Sequence, residues 1–212
     1  ETIQGLETAV LGEVLIPGQE AEEDDALKLR YEERITDPAA SGNAAHFRQW
    51  AREVSGVGAV KVFVNWDGAD TVKIVIVDEE FQPASTELVE RAQDYIDPVP
   101  GMGEGTAPAG SFVTVESAMS VSIDVAAVLE LTTETTIETV QAAFTAALAD
   151  YMKKLIFQEG VDPIIRLRQV GSLLLDISGV IDYSGLTING QSSNLMLGET
   201  ESPVIGQVTF SV

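Results

Sequence analysis

The stretch that decides the fold runs from Ser41 to Asp67 and reads SGNAAHFRQWAREVSGVGAVKVFVNWD. Its first half spaces apolar side chains by three and four residues, the pattern of a helix with one buried face. These apolar positions are Phe47, Trp50, Ala51 and Val54. Gly56 ends the helix, because glycine adopts a left-handed backbone without a Cβ clash. The valines that follow alternate with other residues, so the stretch predicts a helix, a tight turn and a strand.

The sequence of this turn is repeated in the second half of the chain. Glu53–Val57 reads EVSGV, and Asp176–Val180 reads DISGV. In each case a helical run precedes the turn and a strand follows it. Two explanations of this repeat stay open. Either the two halves of the chain arose by duplication, or the same turn solves the same packing problem twice.

Three further elements are predicted in the first half of the chain. Asp24–Ile35 has apolar side chains every four residues and two aspartates at its start, which is typical of a short amphipathic helix. Val60–Val64 alternates, Asp67-Gly68 marks a reversal and Val72–Val77 returns, which predicts a β-hairpin. Ser85 then caps a third amphipathic helix.

The second half is predicted to open with a short strand, Phe112–Val115, followed by a long strand with one apolar face. The apolar positions of the long strand are Val121, Ile123, Val125, Ala127, Leu129 and Leu131. Thr135 and Glu138 fit a capping box at the start of the longest predicted helix, which continues to Leu155. A shorter helix and two strands complete the chain, in the ranges 166–175, 180–188 and 204–212.

Residues 98–110 are rich in glycine and proline and have almost no apolar periodicity. This composition predicts an interdomain connection that also serves as a hinge. We therefore predict an acidic arm at residues 1–23, a central domain at 24–108 and a C-terminal domain at 109–212. The elements predict an α+β fold of two small units, in which mainly antiparallel strands pack against helices.

The composition limits the class of protein. Of the 212 residues 45% are hydrophobic, enough for an ordinary core, and no apolar run has the length of a membrane span. The formal net charge of −22 repels phosphate backbones, so nucleic acid is a poor partner. The acidity suits a solvated particle component, a cationic partner surface or a high-salt habitat. The absence of cysteine excludes disulfides and thiolate metal sites.

Few residues suit catalysis. His46 is the single histidine, so the chain cannot assemble a usual zinc site or a histidine-based triad, and we predict a surface or interface residue. Gly101–Gly105 faintly resembles a phosphate-binding loop, but it follows a helix and lacks the lysine. We predict no catalytic, cofactor-binding or metal-binding residue and no cofactor.

Carboxylates cluster at Glu20–Asp25 and at Asp78–Glu80. Paired acids can bind calcium or hydrolyse glycosides, but neither cluster has the spacing of a known calcium loop. A solvated acidic surface, weak binding of a divalent cation and catalysis are the alternatives for these carboxylates.

Basic residues form two concentrations against the acidic background. Arg48 and Arg52 lie one helical turn apart beside Trp50. The second concentration consists of Lys153, Lys154, Arg166 and Arg168. Such islands either make ion pairs within the chain or dock the carboxylates of a neighbouring subunit.

Several of these segments together resemble the baseplate J-like family of contractile phage tails. The segments are SGNAAHFRQWAREVSGVGAVKV, DGADTVKIVIVDEEFQPASTELVERAQDYID, GMGEGTAPAG and VGSLLLDISGVIDYSGLTING. The resemblance runs from about Asp24 to the C-terminus and rests on the order and spacing of the segments. Family members usually carry a further N-terminal region, so we expect residues 1–23 to be the remnant of such a region.

The resemblance implies a structural, non-enzymatic role. It implies a wedge component of the tail baseplate of a contractile phage or prophage, assembled in the host cytoplasm. Its implied partners are other wedge and hub proteins and copies of itself, with no nucleic acid and no membrane. A baseplate part of a related injection or secretion machine, and an acidic metal-dependent or carbohydrate-active enzyme fragment, are the alternatives.

Overall fold

The computed structural model describes residues 42–157 and 163–212, together with four helical positions, Asp24, Leu27, Lys28 and Tyr31. The chain divides into two compact units, Glu1–Pro38 and Ala39–Val212, and both sheets belong to the second. The four helical positions fall in the helix predicted from Asp24. The predicted acidic arm lies outside the described residues.

The first sheet combines a hairpin with a helical crossover. Its elements are α1 (Ala44–Glu53), β1 (Val57–Val64), β2 (Thr71–Asp78), α2 (Thr86–Ile96) and β3 (Phe112–Ser117). The strand order is β1-β2-β3, with β1 antiparallel and β3 parallel to β2. Because α2 carries the chain from β2 back to the start of β3, these two strands run in the same direction.

One face of the first sheet is buried under α1 and α2, as the helical stripes predicted. Phe47 and Ala51 of α1 and Leu88 of α2 are buried against this face. The strand side chains beneath them include Val60, Val72, Ile74, Ile76, Val113 and Val115. Asn43 and Ser85 begin the two helices, because their side-chain oxygens accept the amides of His46 and Leu88.

The second sheet is built around one long strand. Its elements are β4 (Met119–Leu131), α3 (Ile137–Lys153), β5 (Ile164–Ile165), α4 (Leu167–Leu175), β6 (Val180–Ile188), β7 (Leu195–Met196) and β8 (Glu201–Ser211). The order is β6-β4-β8, with β6 antiparallel and β8 parallel to β4, while β5 and β7 form a separate antiparallel pair.

The predicted apolar face of β4 lies in the core of the second sheet. Ile123, Val125, Ala127 and Leu129 are buried beneath the stripe of α3. Phe144 of α3 is fully buried and meets Phe210 of β8 edge to face, with 5.3 Å between ring centroids. Burial of a side chain of this size stabilises the fold by about 2–3 kcal/mol.

The predicted α+β class is confirmed, with one correction of detail. In the described part of the chain three of the five strand pairs are antiparallel, as predicted, and each three-stranded sheet also contains one parallel pair. The cap of α3 is Thr136 rather than Thr135, since its hydroxyl accepts the Thr139 amide. In the described part of the chain, no helix is both long and apolar enough to cross a membrane.

The glycine- and proline-rich loop, residues 98–110, joins α2 to β3. Since β3 pairs with β2, both ends of the loop belong to the first sheet. The loop is therefore not the connection between the sheets, and the strand that we expected to open the second half lies in the first sheet. The physical reason is that β3, paired with β2, buries Val113 and Val115 in the core of the first sheet. The chain passes between the sheets at Ser117–Met119.

A buried carboxylate fixes both ends of this loop. Asp97 is 1% exposed, and its side-chain oxygens accept the amides of Gly101 at 3.2 Å and Val113 at 3.0 Å. Gln93 accepts the amide of Val115 and donates to the carbonyl of Val113. These side chains satisfy the outer edge of β3 as a neighbouring strand would.

The repeated turn has the same backbone at both places. Gly56 and Gly179 have φ angles of 99° and 95°. The amides of Val57 and Val180 donate to the carbonyls three residues earlier, in both cases at about the same distance, 3.1 and 3.2 Å. Each turn leads from a helix into an edge strand that is antiparallel to the central strand of its sheet.

Replacement of Asp97 should destabilise the fold. Asp97→Ala leaves the Val113 amide without its acceptor, so we expect the free energy of unfolding to fall by about 2–3 kcal/mol. Denaturant unfolding measures this change, and hydrogen exchange should accelerate at Val113 and Gly101. Asp94→Ala, at an exposed position in the last turn of α2, is the control. Equal stability of the two variants would contradict the role of Asp97.

Two glycines with nearly equal φ angles test the packing of the repeated turn. Gly68 has φ of 100°, and a Cβ added to it would have no atom within 4 Å, whereas a Cβ on Gly179 would overlap the Thr135 side chain. Gly68→Ala should cost about 1 kcal/mol for its backbone alone. Gly179→Ala should cost about 1–3 kcal/mol more, because the overlap adds to the backbone strain. Thermal unfolding measures both, and similar costs would refute the steric argument.

Candidate functional site

The carboxylates at Asp78–Glu80 support a turn. The Asp78 side chain accepts the amide of Gln82 at 2.7 Å, and that of Glu79 accepts the amide of Gly56 at 3.0 Å. Glu80 is exposed. Within residues 42–157 and 163–212, no group of three or more His, Asp or Glu side chains could hold a metal ion. Of the other acidic cluster, Glu20–Asp25, the structure describes Asp24 alone.

The loop at Gly101–Gly105, which faintly resembled a phosphate-binding loop, contacts a carboxylate of the chain itself. The Gly101 amide points at the Asp97 carboxylate, and the Gly110 amide donates to the Gly101 carbonyl at 2.8 Å. A phosphate group at Gly101 would meet the negative charge of Asp97. The geometry favours a structural role for this loop.

His46 lies half-buried on α1. Its ring stacks on Trp50 with 3.8 Å between centroids, and its Nδ1 atom accepts the amide of Gly42 at 3.3 Å. Arg48 and Arg52 occupy the same helix, and both take part in polar interactions.

Ionisation of three surface groups follows from local hydrogen bonds. Backbone amides at the starts of α2 and α3 lower the pKa values of Glu87 and Glu138. The carboxylate of Glu53 accepts the Tyr95 hydroxyl at 2.7 Å and thereby raises the pKa of Tyr95. The bonds of Glu87 and Glu138 stabilise the starts of α2 and α3, and the bond between Tyr95 and Glu53 joins α2 to α1. All three have a structural role.

The second basic concentration lies where α3 ends and α4 begins. The Tyr151 hydroxyl accepts the backbone amide of Arg166 at 3.1 Å, which brings the two helices together. Lys153, Lys154, Arg166 and Arg168 are exposed. None of the four has a carboxylate within ion-pair distance among the residues that the structure describes. Ion pairing within this part of the chain, one of the two alternatives, does not explain them.

The first sheet meets the residues that follow α3 through an apolar contact that we call the junction cluster. It covers part of the outer face of the first sheet, opposite α1 and α2. Its members are Ala59, Val75, Val77, Ala118 and Ile156, with Phe63, Phe81 and Phe157 partly buried around them. Lys61 of β1 also forms an ion pair with Glu199 at 3.3 Å. The sequence did not reveal this contact, because its members come from separate segments.

A groove of about 160 Å³ opens beside the junction cluster; we call it the junction groove. Its lining residues are Phe81, Gln82, Ala149, Met152, Lys153, Ile156, Pro203 and Ile205. Lys153 is the only charged residue among them, and its ammonium lies 5.8 Å from the centre of the Phe81 ring. The groove is thus a mainly apolar concavity with one cation at its rim.

The open half of the outer face of the first sheet carries exposed aromatic rings. The Lys73 ammonium lies 3.9 Å from the centre of the Trp66 ring and 3.0 Å from a Glu116 carboxylate oxygen. Phe112, on the same face, is 51% exposed. Exposed aromatic side chains of this kind are typical of protein–protein contacts.

Two family models match consecutive parts of the chain. The baseplate J-like central domain matches residues 39–117, which hold the first sheet. The baseplate J-like protein C-terminal domain matches residues 123–211, which hold the second sheet except the start of β4. The chain belongs to the baseplate J-like family. The expected family is confirmed.

Curated relatives agree with this assignment. The chain is 43% identical over 208 residues to the phage-like element PBSX protein XkdT of Bacillus subtilis, covering 98% of this chain and 59% of the relative. It is 38% identical over 107 residues to baseplate protein gp47 of Escherichia phage Mu, covering 46% of this chain and 29% of the relative. These findings support a structural baseplate component. The chain spans about 60% of the length of its full-coverage relatives.

A solved structure shares the fold. The chain is similar to a subunit in the cryo-EM structure of the anti-feeding prophage baseplate, with a TM-score of 0.58 and 14% identity. The similarity covers 90% of this chain and 43% of that subunit. Both sheets together therefore form a known arrangement.

Replacement of Glu79 separates a turn-forming role from metal binding. Glu79→Ala removes the acceptor of the Gly56 amide, so we expect a loss of about 1 kcal/mol in the free energy of unfolding. Millimolar calcium should leave the melting temperatures of the wild type and the variant unchanged. Glu80→Ala is the control for charge. A calcium-dependent rise in melting temperature that Glu79→Ala abolishes would instead support a divalent-cation site.

Proposed function

We propose that this chain is a structural part of a baseplate wedge in the tail of a contractile phage or a prophage-derived particle. The match of two consecutive baseplate J-like domains to the two sheets carries this proposal. The proposed partners are other wedge and hub proteins and further copies of the same chain. Assembly in the host cytoplasm is part of the same proposal.

The proposed role is contact between polypeptides, without a catalysed reaction. Asp78, Glu79 and Asp97 hold backbone amides, which supports structural tasks for these carboxylates. The exposed aromatic face around Trp66 is suited to partners, as are the exposed cations near the end of α3. The formal charge of −22 keeps such a surface soluble before assembly.

We treat the two sheets as two domains that meet at the junction cluster. The predicted boundary at residue 108 stays a prediction. The strand pairing favours a boundary at Ala118, because Ser117 ends the first sheet and Met119 begins the second. A contact of this kind can hold the domains in one arrangement until a neighbouring protein changes the balance.

Deletion of the gene in an inducible lysogen tests the proposed function. We expect the deletion strain to produce tails without assembled baseplates, which electron microscopy of induced lysates would detect. The full-length gene supplied in trans should restore complete particles. Normal baseplates in the deletion strain would contradict the proposal.

Complex formation provides a second measurement of the same proposal. The full-length protein, co-expressed with the tail proteins encoded beside it, should elute with at least one of them in a fixed ratio. A tail-tube protein from an unrelated phage is the negative control. Light scattering gives the mass of the complex, and a monomer in every combination would count against the proposal.

A further inference from the structure

Two phenylalanines beside the junction groove have an unusual backbone. Phe81 and Phe157 have φ angles of 62° and 53°, in the left-handed region that bulky residues rarely adopt. Phe81 lies beyond the end of β2, where Asp78 accepts the amides of Phe81 and Gln82. Strained residues of this kind persist where the surrounding structure holds them, and they are frequent at ligand-binding sites.

Both rings lie at the junction cluster. Phe81 and Phe157 belong to the partly buried rim of the junction cluster, and Ile156 lies at its centre. Phe81 and Ile156 also line the junction groove, together with Met152. The apolar surface of the internal contact therefore continues into the groove, which remains open beside it.

The charge of the groove differs from that of the whole chain. Among its lining residues Lys153 is the single charge, although acidic residues outnumber basic ones by 34 to 12 in the sequence. Lys154 is exposed next to it. No carboxylate of the described residues lies within ion-pair distance of either ammonium. The groove combines room for an apolar side chain with a cation that can accept an external carboxylate.

We propose that the junction groove binds a segment of a neighbouring baseplate protein in which a bulky apolar side chain adjoins a carboxylate. The apolar side chain enters between Phe81, Met152 and Ile156, and the carboxylate pairs with Lys153. This inference rests on the proposed function, because it names the kind of partner that the baseplate supplies. Occupation of the groove would hold the loop after β2 against α3 and β8, since residues from these three elements line it.

Complementary charge selects this partner over a basic one. A cationic segment would be attracted by the chain as a whole but repelled by Lys153 at the groove itself, where separations are shortest. A second copy of this chain brings the same net charge of −22, so at this groove we propose a segment of a different and less acidic protein, while copies of the chain can meet at other surfaces. A short segment with one carboxylate and one bulky apolar side chain is attracted by Lys153. If it belongs to a protein with less negative net charge, it also meets less repulsion from the chain as a whole.

Photo-crosslinking in assembled particles tests the proposal. A benzophenone amino acid replaces Gln82, which is exposed and lines the groove, in the full-length protein. Ser122, whose side chain is exposed on the face of β4 opposite the buried Ile123 and which does not line the groove, is the control position. We expect Gln82 to cross-link to one segment of another baseplate protein that contains an acidic residue next to a large apolar one. Cross-links to a basic segment, to a second copy or to nothing would overturn the proposal.

Charge reversal measures the contribution of the cation. Lys153→Glu should reduce incorporation of the full-length protein into particles about tenfold, the effect of losing one well-formed charge pair. Lys28→Glu makes the same change of net charge at an exposed position outside the groove lining and outside both basic concentrations, and it should incorporate normally. Changing the cross-linked carboxylate to lysine should restore incorporation of Lys153→Glu. Equal effects of the two reversals, or failure of this rescue, would contradict the inference.

A blocking variant provides an independent readout. Gln82→Trp fills the groove without a change of charge and should also reduce incorporation, while its melting temperature stays near that of the wild type. Normal incorporation of Gln82→Trp would contradict a groove-bound segment. If these variants assemble normally while the gene deletion still abolishes baseplates, the inference fails and the proposed function stands. If the deletion leaves baseplates intact, the proposed function itself fails.

Discussion

Burial of one face of each sheet under two helices is the constraint on which the rest of this structure depends. In the first sheet, Phe47 and Leu88 cover Ile74, and in the second, Phe144 and Leu174 share a core with Val125. Apolar burial supplies most of the stabilising free energy in a chain that has no cysteine for disulfides. The glycine turns, the helix caps and the hydrogen bonds of Asp97 hold the helices over the apolar faces of the sheets.

The repeated glycine turn shows how similar local physics serves both sheets. Gly56 and Gly179 each reverse the chain from a helix into an edge strand, with nearly equal φ angles. The surroundings differ, because Gly56 lies near Arg91 and Leu88 whereas Gly179 contacts Thr135. The common backbone suits both a duplication and a recurrent solution to one packing problem.

Contact between the sheets connects the fold to the proposed role. The outer face of the first sheet is covered in part by the junction cluster, while Trp66 and Phe112 remain exposed on the same face. A protein that assembles with neighbours needs surfaces that tolerate exposure to solvent before assembly. After assembly, the same surfaces must match the shape and charge of the partner. Lys153, unpaired within the described residues at the rim of the junction groove, offers such complementarity to a carboxylate.

The sequence by itself determined the elements and the family. Apolar spacing located the helices and the buried face of β4, and the order of four segments indicated the baseplate J-like family. The sequence also predicted the hairpin of β1 and β2, but only the tertiary structure decided how the other strands pair. It placed Phe112–Ser117 beside β2 and fixed the glycine-rich loop through Asp97. It also created the junction groove from separate segments. Local spacing records which side of an element is apolar, whereas pairing and grooves depend on long-range contacts that spacing does not encode.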